Sequence, residues 1–344
     1  MIKYILLPFA ALYNAITKFR NHLYNIESKK SISFDIPVIS VGNLTVGGTG
    51  KTPHVTYITS YIKDKLKKNP AILSRGYGRK SKGFFLAQND TNSKTLGDEP
   101  LLLYHAFSGD VIVAVCEERI LGIPAVLIEQ PEVECIILDD AYQHRKVKPG
   151  FNILLSDFNR PFYKDYLLPA GRLRESRTGA NRADAVIVTK LPETISETEL
   201  KVIEENVRKF TKAPVFFSLF EYLAPKKFSG VKKEIIKEVL LVTGIANTKY
   251  LTTYLDQHFK ILRHLSYKDH VNYTQNTLEE ILNNYNQLSN SNVVVLCTEK
   301  DMVKIREILP SGNQIPFYYL PISVKLLKDE ANFEKLISDY ILNN

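Results

Sequence analysis

Residues 41–53 carry the residue types that bind nucleotide phosphates, in the sequence VGNLTVGGTGKTP. Glycines allow backbone N–H groups to approach phosphate oxygens closely, Lys51 can reach the β and γ phosphates, and the Thr52 hydroxyl can bind Mg²⁺. The segment departs from the GxxxxGK[ST] pattern only at Thr45, where glycine is usual. The predicted nucleotide-binding residues are Thr45, Val46, Gly47, Gly48, Thr49, Gly50, Lys51 and Thr52.

The flanking sequence places this loop between a strand and a helix. Residues 36–41 form a short, β-branched apolar run, and Pro53 stands where the first turn of a helix tolerates proline. The loop should therefore end at a helix N-terminus, where anions bind well. A glycine-rich turn without a ligand is the alternative, and the preceding strand and the Lys-Thr pair disfavour it.

A second candidate feature is the pair of carboxylates that follows the apolar run at residues 135–138. In an open α/β sheet, ligands bind at the carboxyl ends of the strands. We expect Asp139 or Asp140 to hold Mg²⁺, directly or through water. An ordinary turn is the alternative, and the sequence does not say which aspartate would contact the metal.

Two further segments could supply acid–base groups. Asp98 lies in the sequence GDEP, before a predicted helix at residues 101–107, and could accept the proton of an attacking hydroxyl. A helix cap is the simpler interpretation of that aspartate. His270 follows Asp269 and could reach the same site across a cleft, although one His–Asp pair is weak support by itself.

Strand-like and helix-like segments alternate along the chain. This alternation predicts an α/β fold, similar to P-loop NTPases, with a mostly parallel sheet covered by helices on both faces. The lysine-rich stretch 222–234 contains Pro225 and Gly230 and is predicted to be a linker. It would separate a nucleotide-binding domain at residues 27–221 from a smaller C-terminal α/β domain at 235–344.

Composition restricts the possible partners. The chain has 344 residues and a formal net charge of +8, which favours an anionic partner such as nucleic acid, an acidic membrane surface or a phosphorylated substrate. Its three cysteines are far apart and indicate neither a disulfide framework nor a zinc site. No segment of the sequence indicates an obligate protein partner.

The N-terminal 26 residues have the pattern of a helix that lies in a membrane interface. Apolar residues recur at helical spacing among lysines, an arginine and tyrosines, at Ile5, Phe9, Leu12, Ile16, Phe19 and Leu23. Pro8, Asn14 and Thr17 interrupt the segment, which is too short to span a bilayer that needs about 20 apolar residues. A signal peptide and a helix packed on the protein's own core are the alternatives.

Seven segments in order resemble the tetraacyldisaccharide 4'-kinases, the lipid A 4'-kinases of Gram-negative bacteria. They are VGNLTVGGTGKTP at 41–53, SRGYGR at 74–79, GDEP at 97–100, LDDAYQHR at 138–145, LLPAGRLRE at 167–175, VTGIAN at 242–247 and TEKD at 298–301. The resemblance covers nearly the whole chain.

The resemblance implies an enzyme that uses ATP and Mg²⁺ to phosphorylate the 4'-hydroxyl of a tetraacyldisaccharide 1-phosphate, at the cytoplasmic face of the inner membrane. It implies two α/β/α domains and an amphipathic N-terminal helix. The catalytic residues would be Lys51, Asp98, Asp140 and His270, with Asp98 as the base, and the metal ligands would be Thr52, Asp139 and Asp140.

The expected substrate carries a phosphate, and the segment after residue 170 is rich in arginine. Arg172, Arg174, Arg177 and Arg182 form a basic stretch, of which any single member could instead belong to a solvated face. We predict that Arg75, Arg172 and Arg174 bind the substrate. An acylated substrate stays in the bilayer, because each buried CH₂ holds it by about 0.8 kcal/mol, so the enzyme must come to the membrane.

A regulatory P-loop NTPase switch is the main alternative from another class. Guanine recognition would need an [NT]KxD motif, but the sequence TKLP at 189–192 ends in proline and TEKD has its lysine one position late. Nucleic-acid binding is a third possibility, and the sequence lacks a strand-borne aromatic and basic signature for it.

Overall fold

The computed structural model describes residues 5–245, 248–269, 271–288 and 292–344, which form two sheets with helices packed on them. His270, a predicted catalytic residue, lies outside the described residues. The strands are β1 (Val38–Asn43), β2 (Pro70–Ser74), β3 (Phe85–Leu86), β4 (Ile112–Val115), β5 (Cys135–Asp139), β6 (Phe151–Asp157), β7 (Ala185–Thr189), β8 (Val215–Tyr222), β9 (Lys226–Ser229), β10 (Glu238–Thr243), β11 (Lys260–Ser266), β12 (Val293–Thr298), β13 (Phe317–Leu320) and β14 (Ile322–Leu326).

The helices of the described part of the chain connect these strands or flank them. They are α1 (Leu7–Asn25), α2 (Lys51–Ser60), α3 (Ser93–Leu96), α4 (Asp98–Ala106), α5 (Arg119–Glu129), α6 (Glu197–Arg208), α7 (Lys249–His258), α8 (Gln275–Gln287), α9 (Glu299–Ile308) and α10 (Glu330–Leu342). A π-helical segment, Tyr61–Lys65, continues α2, and Phe162–Lys164 and Arg177–Arg182 are 3₁₀ turns.

The larger sheet has the strand order β14-β8-β7-β6-β1-β5-β2-β4-β3 within the described residues. All its pairs are parallel except the two at its edges, β14 with β8 and β3 with β4. Helices α2, α4 and α10 bury apolar residues against one face, while α5 and α6 cover the other. This arrangement confirms the predicted fold class, a mostly parallel sheet with helices on both faces. Strands that are buried on both faces have continuous apolar sequences, which is why the sequence predicted them.

The pairing of β1 places the two leading motifs side by side. β1 lies between β5 and β6, and Val41 is in register with Asp139. Both strands run in the same direction, so the glycine-rich loop after β1 and the aspartates after β5 emerge at the same edge of the sheet. Parallel pairing therefore accounts for the proximity of residues that are about 90 positions apart in the sequence.

The smaller sheet has the order β11-β10-β12-β13-β9, with β9 antiparallel at its edge. Part of the predicted linker is thus a strand, since residues 226–229 form β9. The structure also departs from the predicted C-terminal domain of residues 235–344. β14 returns to pair with β8 and so covers an edge of the larger sheet. α10 buries Phe333 in the core of the same sheet and so covers part of its face.

Helix α1 confirms the predicted N-terminal helix but leaves its apolar stripe uncovered. Ile5, just before the helix, and Phe9, Leu12, Ile16 and Phe19 are each between 60% and 65% exposed. In the described residues, no helix combines the length and apolar character that crossing a membrane requires.

Candidate active site

The loop after β1 ends at the N-terminus of α2, whose first residue is Lys51. Gly50 has a φ of +85°, in the left-handed region, and a Cβ atom there would lie 2.4 Å from the Phe220 ring. Both the backbone angle and the space thus require glycine. The backbone N–H groups of the first turn of α2 have no partner within the helix, which suits the site to an anion.

Hydrogen bonds from neighbouring strands and loops hold this glycine-rich loop in place. The Asn43 side-chain amide donates to the Thr49 hydroxyl at 2.7 Å, and the Thr189 hydroxyl donates to the Thr49 carbonyl at 2.9 Å. The Val46 N–H donates to the Arg172 carbonyl at 2.8 Å. The loop is therefore anchored both to β7 and to the arginine-rich segment.

Two residues that the sequence did not assign to the phosphate site support the loop. Lys190 follows β7, donates to the Gly48 carbonyl and forms an ion pair of 2.6 Å with Asp157. Buried His54 donates from Nδ1 to the Gly50 carbonyl at 2.7 Å and accepts at Nε2 from Ser218 at 2.9 Å. Burial lowers the pKa of His54 to about 4, so this histidine is neutral at neutral pH.

Asp140 joins the loop lysine to the arginine-rich segment. Its carboxylate lies 3.7 Å from Lys51 Nζ and accepts hydrogen bonds of 3.1 and 3.2 Å from Arg174. Its backbone adopts a φ of +48° at the end of β5. A non-glycine residue in this conformation is uncommon and marks a chain held by its surroundings.

Asp139 is buried and only partly satisfied. Its Oδ2 accepts from the Ser74 hydroxyl at 2.9 Å, while Oδ1 has no hydrogen-bond partner among the described residues. Burial, reinforced by the nearby carboxylates of Glu99 and Asp140, raises the pKa of Asp139 to about 6. An unsatisfied buried carboxylate oxygen beside a nucleotide loop suits a divalent cation, which would stabilise the ionised form.

Within the described residues, no cluster of three or more His, Cys, Asp or Glu side chains could hold a metal. Mg²⁺ commonly uses only one or two carboxylates and completes its shell with water and phosphate oxygens. Asp139 and the buried Thr52, at the start of α2, therefore fit Mg²⁺ bound together with a nucleotide better than a metal held by protein ligands alone.

The predicted arginines have different surroundings. Arg174 is engaged by Asp140, Arg172 lies beside Gly47, and Arg75 is exposed directly after β2. The other two members of the basic stretch form contacts within the protein. Arg177 donates to the Asp165 carbonyl, and Arg182 pairs with buried Glu175 at 2.9 Å.

Asp98 begins α4 but does not cap it. Gly97 occupies the N-cap position, and no side chain caps this helix end. The Asp98 carboxylate instead lies 2.7 Å from Nζ of Lys304, on α9 beside the smaller sheet. Asp98 is therefore not a helix cap. The sequence had not identified Lys304.

Helix α1 contacts this site through its polar face. Tyr13 donates from its hydroxyl to the Arg174 carbonyl at 2.9 Å, and Asn21 donates to the Glu175 carboxylate at 2.7 Å. Arg145 reaches back to the Asn21 carbonyl at 2.8 Å. Helix α1 thus packs on the arginine-rich segment with its apolar stripe directed away, which is the reverse of a helix that buries its apolar face in the core.

A parallel sheet with a phosphate-type loop after its central strand and acidic residues after the next one defines a P-loop nucleotide-binding protein. The family model described as Tetraacyldisaccharide-1-P 4'-kinase matches residues 2–342. The chain belongs to this family.

Individual relatives match over nearly their full length. The tetraacyldisaccharide 4'-kinase of Flavobacterium psychrophilum is 42% identical over 98% of this chain and 96% of its own, and that of Cytophaga hutchinsonii is 40% identical over 99% and 97%. A crystal structure of LpxK from Aquifex aeolicus, described as an "apo" form in complex with ATP, is similar with a TM-score of 0.79. It is 33% identical, over 99% of this chain and all of that one.

Proposed function

We propose that this protein is a kinase that transfers the γ-phosphate of ATP to the 4'-hydroxyl of a tetraacyldisaccharide 1-phosphate, the product being lipid IVA. The observation that carries the proposal is the convergence of Lys51, Asp139 and Asp140 at the end of two adjacent parallel strands, in a chain that belongs to this kinase family. The ATP bound to the similar Aquifex aeolicus structure supports ATP as the nucleotide.

The glycine-rich loop would bind the phosphate chain with its backbone N–H groups, from Thr45 to Thr52. Lys51 would contact the β and γ phosphates, and Thr52 and Asp139 would hold Mg²⁺, with Asp140 as a further ligand or water-binding group. When bound, Mg²⁺ supplies positive charge that stabilises the phosphate oxygens. Arg174 would position Asp140, since it already pairs with that carboxylate.

Asp98 would orient the 4'-hydroxyl and accept its proton as the oxygen attacks the γ-phosphorus and ADP leaves. We propose His270 as the residue that supports this base. The ion pair of Asp98 with Lys304 supports this placement, because it puts the carboxylate between the nucleotide-binding sheet and the smaller sheet. Phosphoryl transfer has a loose transition state, so base catalysis would contribute only about 10²- to 10⁴-fold.

The acyl chains of the substrate explain the exposed face of α1. A helix that presents Phe9, Leu12 and Ile16 to the outside while its polar face contacts the active-site segment can lie in the interface and hold the site next to its lipid. We infer a peripheral location at the cytoplasmic face of the inner membrane, where ATP is present. Arg75, Arg172 and Arg174 remain our proposed ligands of the substrate.

The test is an acceptor panel with ATP labelled at the γ-phosphate and Mg²⁺. We expect label in the tetraacyldisaccharide 1-phosphate, and none in the same lipid when its 4'-position is already phosphorylated. A regulatory NTPase switch would release labelled inorganic phosphate at the same rate with every lipid, and that result would refute the proposal.

A further inference from the structure

The ammonium of Lys304 contacts two segments that are far apart in the sequence. Its Nζ lies 2.7 Å from Asp98 Oδ2 and donates a hydrogen bond of 3.0 Å to the Val271 carbonyl. Val271 directly follows His270 in the sequence. One ammonium group therefore joins the carboxylate on the larger-sheet helix α4 to the backbone of Val271.

The helix that carries Lys304 is itself firmly anchored. Buried Asp301, one turn earlier on α9, accepts hydrogen bonds from the Gly244 N–H at 3.1 Å and the Tyr273 hydroxyl at 3.0 Å. Thr298 caps the same helix by accepting from the Asp301 N–H. These bonds tie α9 to the chain on both sides of residues 245–271, so the position of the Lys304 stem is set by packing.

A neighbouring ion pair shows what an ordinary contact between the same two helices looks like. Lys300 on α9 lies 3.2 Å from Glu99 on α4, and both side chains are well exposed, at 40% and 37%. The Lys304 side chain is only 14% exposed and has two acceptors. Exposed ion pairs contribute little to stability. An ammonium that is shielded from solvent and contacts two acceptors fixes the geometry of both partners.

We infer that Lys304 is a positioning residue for phosphoryl transfer. It orients the Asp98 carboxylate toward the acceptor hydroxyl and ties that carboxylate to the backbone of Val271. This inference rests on the proposed function, in which Asp98 is the base. Lys304 acts through Asp98 and need not touch the substrate.

The experiment compares Lys304→Met, which keeps the stem but removes the ammonium, with Lys304→Arg, which keeps a cation. Lys300→Met is the matched control, since it removes the other ion pair between α4 and α9. Asp98→Asn and the double variant Asp98→Asn/Lys304→Met complete the set. For each protein, kcat, the KM values for ATP and lipid, and the thermal unfolding midpoint are measured.

We expect Lys304→Met to lower kcat by about 10- to 100-fold with the KM for ATP changed less than about 2-fold, because misplacing a catalytic group costs turnover rather than nucleotide binding. Lys304→Arg should recover most of that loss, and Lys300→Met should keep the original kcat. The double variant should be no slower than Asp98→Asn, since Lys304 acts through Asp98.

Three results would overturn the inference. A Lys304→Met enzyme with normal kcat, while Asp98→Asn is impaired, would overturn the positioning role and leave the kinase proposal intact. Equal falls in unfolding midpoint and kcat for Lys304→Met and Lys300→Met would show a purely structural contact. Normal turnover by Asp98→Asn would overturn both the base assignment and the role of Lys304.

Discussion

The ammonium of Lys51 lies 3.7 Å from the carboxylate of Asp140, and the guanidinium of Arg174 contacts the same carboxylate at 3.1 Å. The loop lysine is thus positioned against the acidic end of β5. Because its side chain is only 10% exposed, little conformational freedom remains to be lost when phosphates bind.

Lys51→Ala should abolish most phosphate transfer while leaving the fold intact. We expect kcat to fall by at least about 10²- to 10³-fold, the range seen when a preorganised donor to developing charge is removed. Rates of label transfer and circular dichroism spectra check this. Near-normal transfer by a folded Lys51→Ala protein would contradict the role given to the loop.

Gly50→Ala and Gly48→Ala form a matched pair in the same loop. Alanine at Gly50 must adopt a left-handed φ and meet the Phe220 ring, whereas a Cβ at Gly48 meets nothing within 4 Å. We expect Gly50→Ala to lower the free energy of unfolding by about 2–4 kcal/mol, from backbone strain and overpacking. Gly48→Ala should stay within about 0.5 kcal/mol. Urea titrations measure both, and equal stabilities would refute the geometry of this loop.

The sequence predicted the parts of the site that depend on local pattern. The strand, glycine-rich loop and helix N-terminus around Lys51, and the strand that ends at Asp139, follow from apolar runs and special residues. Contacts between distant segments were not predictable, because side-chain pairing depends on tertiary packing. Lys304 beside Asp98, His54 beneath Gly50 and the return of β14 to the larger sheet are of this kind.

Substitutions on the exposed face of α1 test membrane binding better than deletion of the helix. Deletion would also remove the hydrogen bond from Tyr13 to the Arg174 carbonyl and so disturb the active site. We expect Phe9→Ser/Ile16→Ser to reduce partitioning onto anionic vesicles and to raise the KM for lipid in vesicles, with the KM for ATP unchanged.

Val202→Ser provides the control for that experiment, because Val202 is an apolar residue that is 52% exposed on a different helix, α6. Vesicle sedimentation should show normal binding for this variant. If the doubly substituted α1 protein sediments with vesicles as well as the Val202 variant does, the exposed stripe is not the membrane contact.

Stability should fall in acid partly through His54. Burial lowers its pKa in the folded protein to about 4 from 6.5. Between these values the unfolded chain binds a proton that the folded protein does not, so the contribution is complete above pH 6.5 and is lost as pH falls toward 4. At 1.36 kcal/mol per pKa unit, this amounts to about 3 kcal/mol.

His54→Gln removes the titrating group and should therefore flatten this dependence. The free energy of unfolding, from urea titrations at neutral pH and near pH 4, should drop less in the variant than in the original protein. An identical drop in both proteins would show that His54 is not a buried neutral histidine.

The most direct test of the account is the ratio of phosphorylated lipid to ADP formed from ATP by the purified protein, with Mg²⁺ and vesicles that contain the tetraacyldisaccharide 1-phosphate. A kinase that excludes water should form one 4'-phosphorylated lipid for each ADP, with the new phosphate located by mass spectrometry of the fragmented sugars. ADP and inorganic phosphate in equal amounts, with no phosphate added to the lipid, would contradict the central claim.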